Sequence, residues 1–304
     1  YGSGNTKITM ENCYTTKESY QNQGASVAHG GFSKANRTGD VTIMPESILI
    51  GANAYKYTML DFSKYWGLVE NDTPVLLSFA GNIMSTKGLT RMIDTSWYSA
   101  GKKSFVINSV QELYGLYQLS LMDSFEGKTI TLGADVNINS GWTAGESVPE
   151  NIFFPISRFA GTFDGNNRTI SGVYIQEGGK DGIGLFDSLA STGTIRNLIL
   201  ENSYIESAGS KTSNTGWYTG GLVGLLEGGN ISGVYVKNDV IVRSNMPYCG
   251  GIVGNWQGDS TISCCWFAGI VDHNDVTNKG LTGGIVGGAS KKGTRTIENC
   301  LNTG

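Results

Sequence analysis

Four aromatic side chains are the residues of this chain best suited, by type and position, to hold a ligand. Trp217 and Tyr218 precede a Gly-Gly-Leu-Val-Gly run, Trp256 follows a Gly-Gly-Ile-Val-Gly run, and Trp266 follows Cys264-Cys265. Flat rings on one side of a scaffold give sugar rings a face to stack on. Trp217, Tyr218, Trp256 and Trp266 therefore form the candidate binding set, with packing at turns as their competing role.

The titratable residues point elsewhere. Asp164, in Thr162-Phe163-Asp164-Gly165-Asn166, has the composition of a turn, where Asp and Asn bond their own backbone and tolerate left-handed conformations. Asp272-His273-Asn274-Asp275 could take a cation or a sugar, and reads first as a solvated loop. Asp135, Asn137, Asn139 and Glu146 match positions 1, 3, 5 and 12 of a calcium loop, but Ser140 stands where that loop requires glycine. The two histidines, His29 and His273, are far apart in sequence, and no Gly-x-Ser-x-Gly run accompanies them, so no nucleophilic triad is read. Cys13, Cys249, Cys264, Cys265 and Cys300 are an odd number without a Cys-x-x-Cys pair, which supports no zinc site. No catalytic residue, metal site or cofactor is expected.

Composition narrows the classes further. Glycine supplies 44 of 304 residues against 5 prolines, about twice the usual glycine share, which fits neither collagen nor a Pro/Gly linker. Charged residues are 16% and the net charge is -4, with no Lys/Arg block. This argues against nucleic acid or an anionic membrane as partner. No run of 18 apolar residues exists, so no membrane span is read in this segment. The chain starts at Tyr1 without an initiator Met or a signal peptide, and is expected to be an excised or processed piece.

The elements that must position these residues are repeats. Gly220–Gly224, Gly250–Gly254 and Gly283–Gly287 carry the Gly-Gly-(Leu/Ile)-Val-Gly run at spacings of 30 and 33. Each is followed by a polar turn and a short strand-like segment centred on Ile231, Ile262 or Ile297, and a degenerate earlier copy is centred on Ile195. A unit of this length with β-rich runs and glycine corners suits one turn of a β-solenoid, which must stack to bury its apolar face. Gly-Gly pairs and β-branched alternation disfavour helical repeats. In this alignment Cys265 and Cys300 take the place of Leu198 and Val234, and Cys13 takes it in Met10-Glu11-Asn12-Cys13, so these thiols are read as small buried apolar groups. Asn12, Asn197 and Asn299 share the preceding position, which suggests a stacked amide ladder.

Ser109, with Glu112 three residues on, reads as a helix start, giving one short capping helix near residues 109–124. It should be the only substantial helix, covering the open edge of the first turn. Three segments are expected: 1–80 as the tail of a preceding β-rich module, 81–104 as a connector, and 105–304 as capping helix plus β-helix. Lys7 to Thr16 echoes Thr296 to Thr303, which suggests tandem modules in a longer parent chain.

Residues 97–304 resemble the bacterial surface proteins that carry the GLUG motif. The resemblance rests on Glu112-Leu113, Phe125 to Leu132, Ala134-Asp135-Val136, Phe159 to Asn166, Gly184-Leu185-Phe186 and the three Gly-Gly-(Leu/Ile)-Val-Gly runs, in that order. It implies an all-β fold, a right-handed parallel β-helix (β-solenoid), on a secreted or cell-surface bacterial protein. The expected function is a non-catalytic adhesin or stalk. A polysaccharide-cleaving enzyme on the same fold, or a head-to-tail fibre subunit, is the alternative. Expected partners are an extracellular glycan or host surface protein, neighbouring modules of the parent, and further copies of the chain.

Overall fold

The computed structural model describes residues 8–9, 11–16, 37–38, 41–79, 83–177, 181–208, 217–274, 280–290 and 293–304. They divide into two compact units, Tyr1–Asp94 and Thr95–Gly304.

In the first unit two short parallel pairs form: Ile8–Thr9 with Arg37–Thr38, and Cys13–Thr16 with Val41–Met44. A 3-10 turn, Glu46–Ile48, leads to helix α1, Gly51–Tyr57. Trp66–Gly67 then pairs antiparallel with Val75–Leu76. Helix α1 is a second helix where the sequence suggests one. It has seven residues and no side-chain cap, too few for a periodic apolar stripe to be visible. Buried Ala54 and Tyr57 hold it in place.

The second unit is a parallel β-solenoid of about five turns. Its chain visits four sheets in rotation. Sheet 1 stacks Ser104–Ile107, Thr129–Leu132, Thr162–Ser171, Thr194–Glu201, Gly229–Val236, Ser260–Ser263 and Arg295–Glu298. Sheet 2 stacks Tyr174–Glu177, Ser203–Ser207, Val240–Ser244 and Ile270–His273. Sheet 3 stacks Gly182–Ile183, Tyr218–Gly220, Tyr248–Gly250 and Leu281–Gly283, and sheet 4 stacks Phe186–Leu189, Val223–Leu226, Val253–Trp256 and Val286–Ala289. All pairings within these sheets are parallel, and the register is broken between Asp164 and Arg168, where Thr162–Ser171 bulges against Thr194–Glu201.

Register makes the interior. Ile130, Phe163, Ile195, Ile231 and Ile262 are successive partners in sheet 1, and all are fully buried. Sheet 4 faces them with Phe186, Val223 and Val253, also fully buried. Side-chain alternation along each strand puts these rows inward and their neighbours outward. Helix α2, Val110–Ser120, lies in the expected range, with the Ser109 side chain accepting from the Glu112 amide at 3.2 Å. Its buried Tyr114 and Tyr117 meet Phe153 and Phe154 at ring-centroid distances of 5.1 Å.

The repeated glycines serve close approach. A Cβ on Gly220, Gly250 or Gly283 would sit 2.2, 2.1 or 2.1 Å from the carbonyl oxygen of Val223, Val253 or Val286. The same corner, between sheets 3 and 4, thus excludes any side chain in three successive turns. Left-handed backbone is needed elsewhere, at the bend within sheet 1. Asn166, Asn197, Cys264 and Asn299 have φ of 52°, 53°, 53° and 51°, and Gly233 has 63°. This corrects the amide-ladder expectation: Gly233 and Cys264 separate Asn197 from Asn299 in the stack. Asn recurs because it tolerates this conformation, and Asn12 in the first unit shares it at 52°.

Candidate functional site

The solenoid distributes the four candidate aromatics over different sheets. Trp217 is half-buried at the entry to sheet 3, and the Tyr218 ring packs at a tilt of 55° against Tyr248, 5.3 Å between centroids. Trp256 ends a sheet 4 strand and is 2% exposed, its indole N–H donating to the Ser260 hydroxyl; a ring so enclosed turns no face to solvent. Trp266 lies on the outer face of sheet 1 and is 39% exposed. It stacks on Tyr235 at 4.3 Å and 11°, and its indole N–H donates to Thr303 Oγ1 at 2.9 Å. The structure does not gather the four into one platform.

Other candidates are engaged structurally. Asp164 accepts from the Asn166 amide at 2.9 Å, from Asn197 Nδ2 at 3.2 Å, and pairs with Arg196 at 2.9 Å. Partial burial raises its carboxyl, but these donors outweigh it and leave the pKa below the ordinary value. In the calcium-like run, Asp135 accepts from the Thr169 amide at 2.8 Å, while Asn139 is buried and bonds the carbonyls of Asn151 and Gly172. Asp272 pairs with Arg243 at 3.2 Å, and His273 Nε2 meets the Met246 carbonyl at 2.7 Å. All five thiols are free. Cys249 and Cys265 are buried, which pushes both up to about 12. His29 and Asp275 lie outside the described residues.

A groove not anticipated from the sequence runs over the outer face of sheet 2. Its volume is about 370 Å3, and its lining includes Ser147, Tyr174, Gln176, Tyr204, Glu206 and Arg243. One wall is the segment between Asn139 and Asn151, tied at its base by Asn151 N–H to Asn139 Oδ1 at 3.0 Å and Asn151 Nδ2 to the Ile138 carbonyl at 3.0 Å. Asn202 clamps its middle, donating to the Trp142 carbonyl at 2.6 Å and accepting from the Ala144 amide at 2.8 Å. The floor follows from register. Tyr174 pairs with Tyr204, and Gln176, Glu206, Arg243 and Asp272 are successive partners.

Stacked in this way, the Tyr174 and Tyr204 rings lie 5.5 Å and 12° apart, and Trp142 packs edge-on against Tyr174 at 5.9 Å. Gln176 donates to Glu206 at 2.7 Å. Arg243 reaches Glu206 only at 3.9 Å and the Tyr204 hydroxyl at 3.5 Å. Burial, then the Glu206 charge and Tyr204, hold the Tyr174 phenol above its ordinary pKa, so it stays protonated at neutral pH. The only sequence signal was the 30-residue spacing of Tyr174 and Tyr204, invisible until the register is known.

Comparison with known proteins fits this architecture. Residues 215–241 match the GLUG motif. They span most of one turn of the solenoid, from the start of Tyr218–Gly220 in sheet 3, through sheets 4 and 1, into Val240–Ser244 of sheet 2. Halomucin from Haloquadratum walsbyi is 35% identical over 109 residues, covering 36% of this chain and 1% of halomucin's length. That relative is archaeal, so the bacterial source implied by the resemblance does not carry over as a finding. No solved structure matches the chain at a significant level. No helix among the described residues is long and apolar enough to cross a membrane. The chain thus carries a GLUG motif over residues 215–241, set within a parallel β-helix.

Proposed function

We propose that the chain is a non-catalytic segment of an extracellular surface protein, acting as a stalk that also adheres to its surroundings. The observation that carries this reading is the agreement between the GLUG match and most of one turn of the solenoid. The motif's glycines answer a steric demand of the turn, so the motif describes a stackable building unit. Acidic side chains of the solenoid are likewise engaged in ion pairs: Asp164 with Arg196, Glu201 with Lys237 at 2.8 Å, and Asp272 with Arg243. The halomucin relative, of which this chain spans about 1%, supports a longer parent in which such units are neighbours.

The test is surface labelling of intact cells of the source organism with an antibody against residues 95–304. Labelling without lysis supports display. Labelling only after lysis overturns it, and release of reducing ends from any polysaccharide by the purified chain overturns the non-catalytic part.

A further inference from the structure

We infer that the groove over sheet 2 is a binding site for a neutral oligosaccharide. The inference deepens the adhesive part of the proposed function and rests on it for its setting, while the site itself stands on its geometry.

Three observations point to this ligand class. The groove's volume, about 370 Å3, lies at the lower end of ligand clefts, which suits one or two sugar rings. Its aromatic surface is built from Tyr174 and Tyr204 held parallel by register. Tyr174 is 6% exposed and backs Tyr204, which is left half-buried with an apolar face and a polar tip. Its polar groups are mixed: the Glu206 carboxylate accepts, the Arg243 guanidinium donates, and the Gln176 amide and Tyr204 hydroxyl do both. A hydroxyl-rich ligand can use all of them.

Charge and contact geometry exclude other occupants. Arg243 faces both Glu206 and Asp272, so its charge is offset and an anionic ligand gains nothing. A metal would find a single carboxylate among the described lining residues. At 3.5 and 3.9 Å, the contacts of Arg243 with Tyr204 and Glu206 are longer than good hydrogen bonds, and a sugar hydroxyl lying beside them can take shorter ones. The wall is preformed, because Asn139, Asn151 and Asn202 fix it from base to middle. A site already ordered loses less conformational freedom on binding.

The experiment is calorimetric titration of the purified chain with neutral disaccharides (cellobiose, maltose, mannobiose, xylobiose) and with anionic digalacturonate, using Tyr204→Ala, Glu206→Gln and Trp266→Ala variants with melting temperature as the folding control. Binding of a neutral disaccharide, weakened about tenfold or more by Tyr204→Ala and Glu206→Gln and unchanged by Trp266→Ala, supports the site. No binding of any neutral sugar, preference for digalacturonate, or loss confined to Trp266→Ala overturns it. If Tyr204→Ala lowers the melting temperature, Glu206→Gln alone decides. Failure here leaves the surface-labelling result untouched, and failure of labelling leaves this binding result untouched.

Discussion

Asn197 and Cys264 hold the same left-handed backbone conformation, φ 53° in both, at the same bend two turns apart in sheet 1. Asn bears this conformation better than most residues, whereas a Cβ-bearing side chain without a local bonding group is strained there by about 1 kcal/mol.

Cys264→Asn should therefore stabilise the solenoid by about 0.5–1 kcal/mol. Asn197→Ala should destabilise it by about 1–2 kcal/mol, since it also removes the bond to Asp164. Denaturant titration measures both, and equal stability in the two variants would refute the conformational explanation.

At the corner between sheets 3 and 4 the demand is spatial. Gly250→Ala places a methyl 2.1 Å from the Val253 carbonyl oxygen, and should cost at least about 2 kcal/mol. Gly101→Ala, where nothing lies within 4 Å, should stay within about 0.5 kcal/mol of the parent. Thermal melts of the two variants make the comparison, and a tolerated Gly250→Ala would show that the corner can shift.

Much of this was legible beforehand, and the divisions have physical causes. The turn spacing, the inward Ile row and the capping helix follow from periodicity and a cap signal, both local properties of the chain. The groove was not legible, because it needs Asn202 to reach back to Trp142 across 60 residues and needs Tyr204 beside Tyr174. The surroundings of Trp256 were not legible either. A large aromatic after a glycine run fits a surface ring or turn packing, and only the pairing of Leu226 with Trp256 places it in an inward row.

Thiol labelling should separate the cysteines. Cys264 is exposed and should alkylate readily at pH 8, while burial keeps Cys249 and Cys265 protonated, with values of about 12, and inert until unfolding. Mass spectrometry after timed iodoacetamide treatment gives the order, and early modification of Cys249 would contradict the packing of sheet 3.

Acid should weaken the solenoid in a defined direction. For Asp123, burial raises the carboxyl, and bonds from Tyr98, Lys128 and the Phe125 amide outweigh it, so its pKa is lowered, as is that of Asp164. A carboxyl depressed in the folded state stabilises fully above its unfolded value of 3.8, and that contribution is lost as pH falls through the folded value. Stability measured from pH 6 downward should hold until about pH 4 and then fall, and the fall should be shallower in Asp164→Asn.

The parallel stacking of the turns also has a mechanical meaning. Each turn adds only about 4.8 Å to the stack, yet its 30 or so residues hold about 100 Å of chain at roughly 3.3 Å per residue. Hydrogen bonds between turns lie along the stacking direction, so tension applied that way pulls them open directly. Turns then release one after another, and the segment becomes a reserve of length that yields in steps under load.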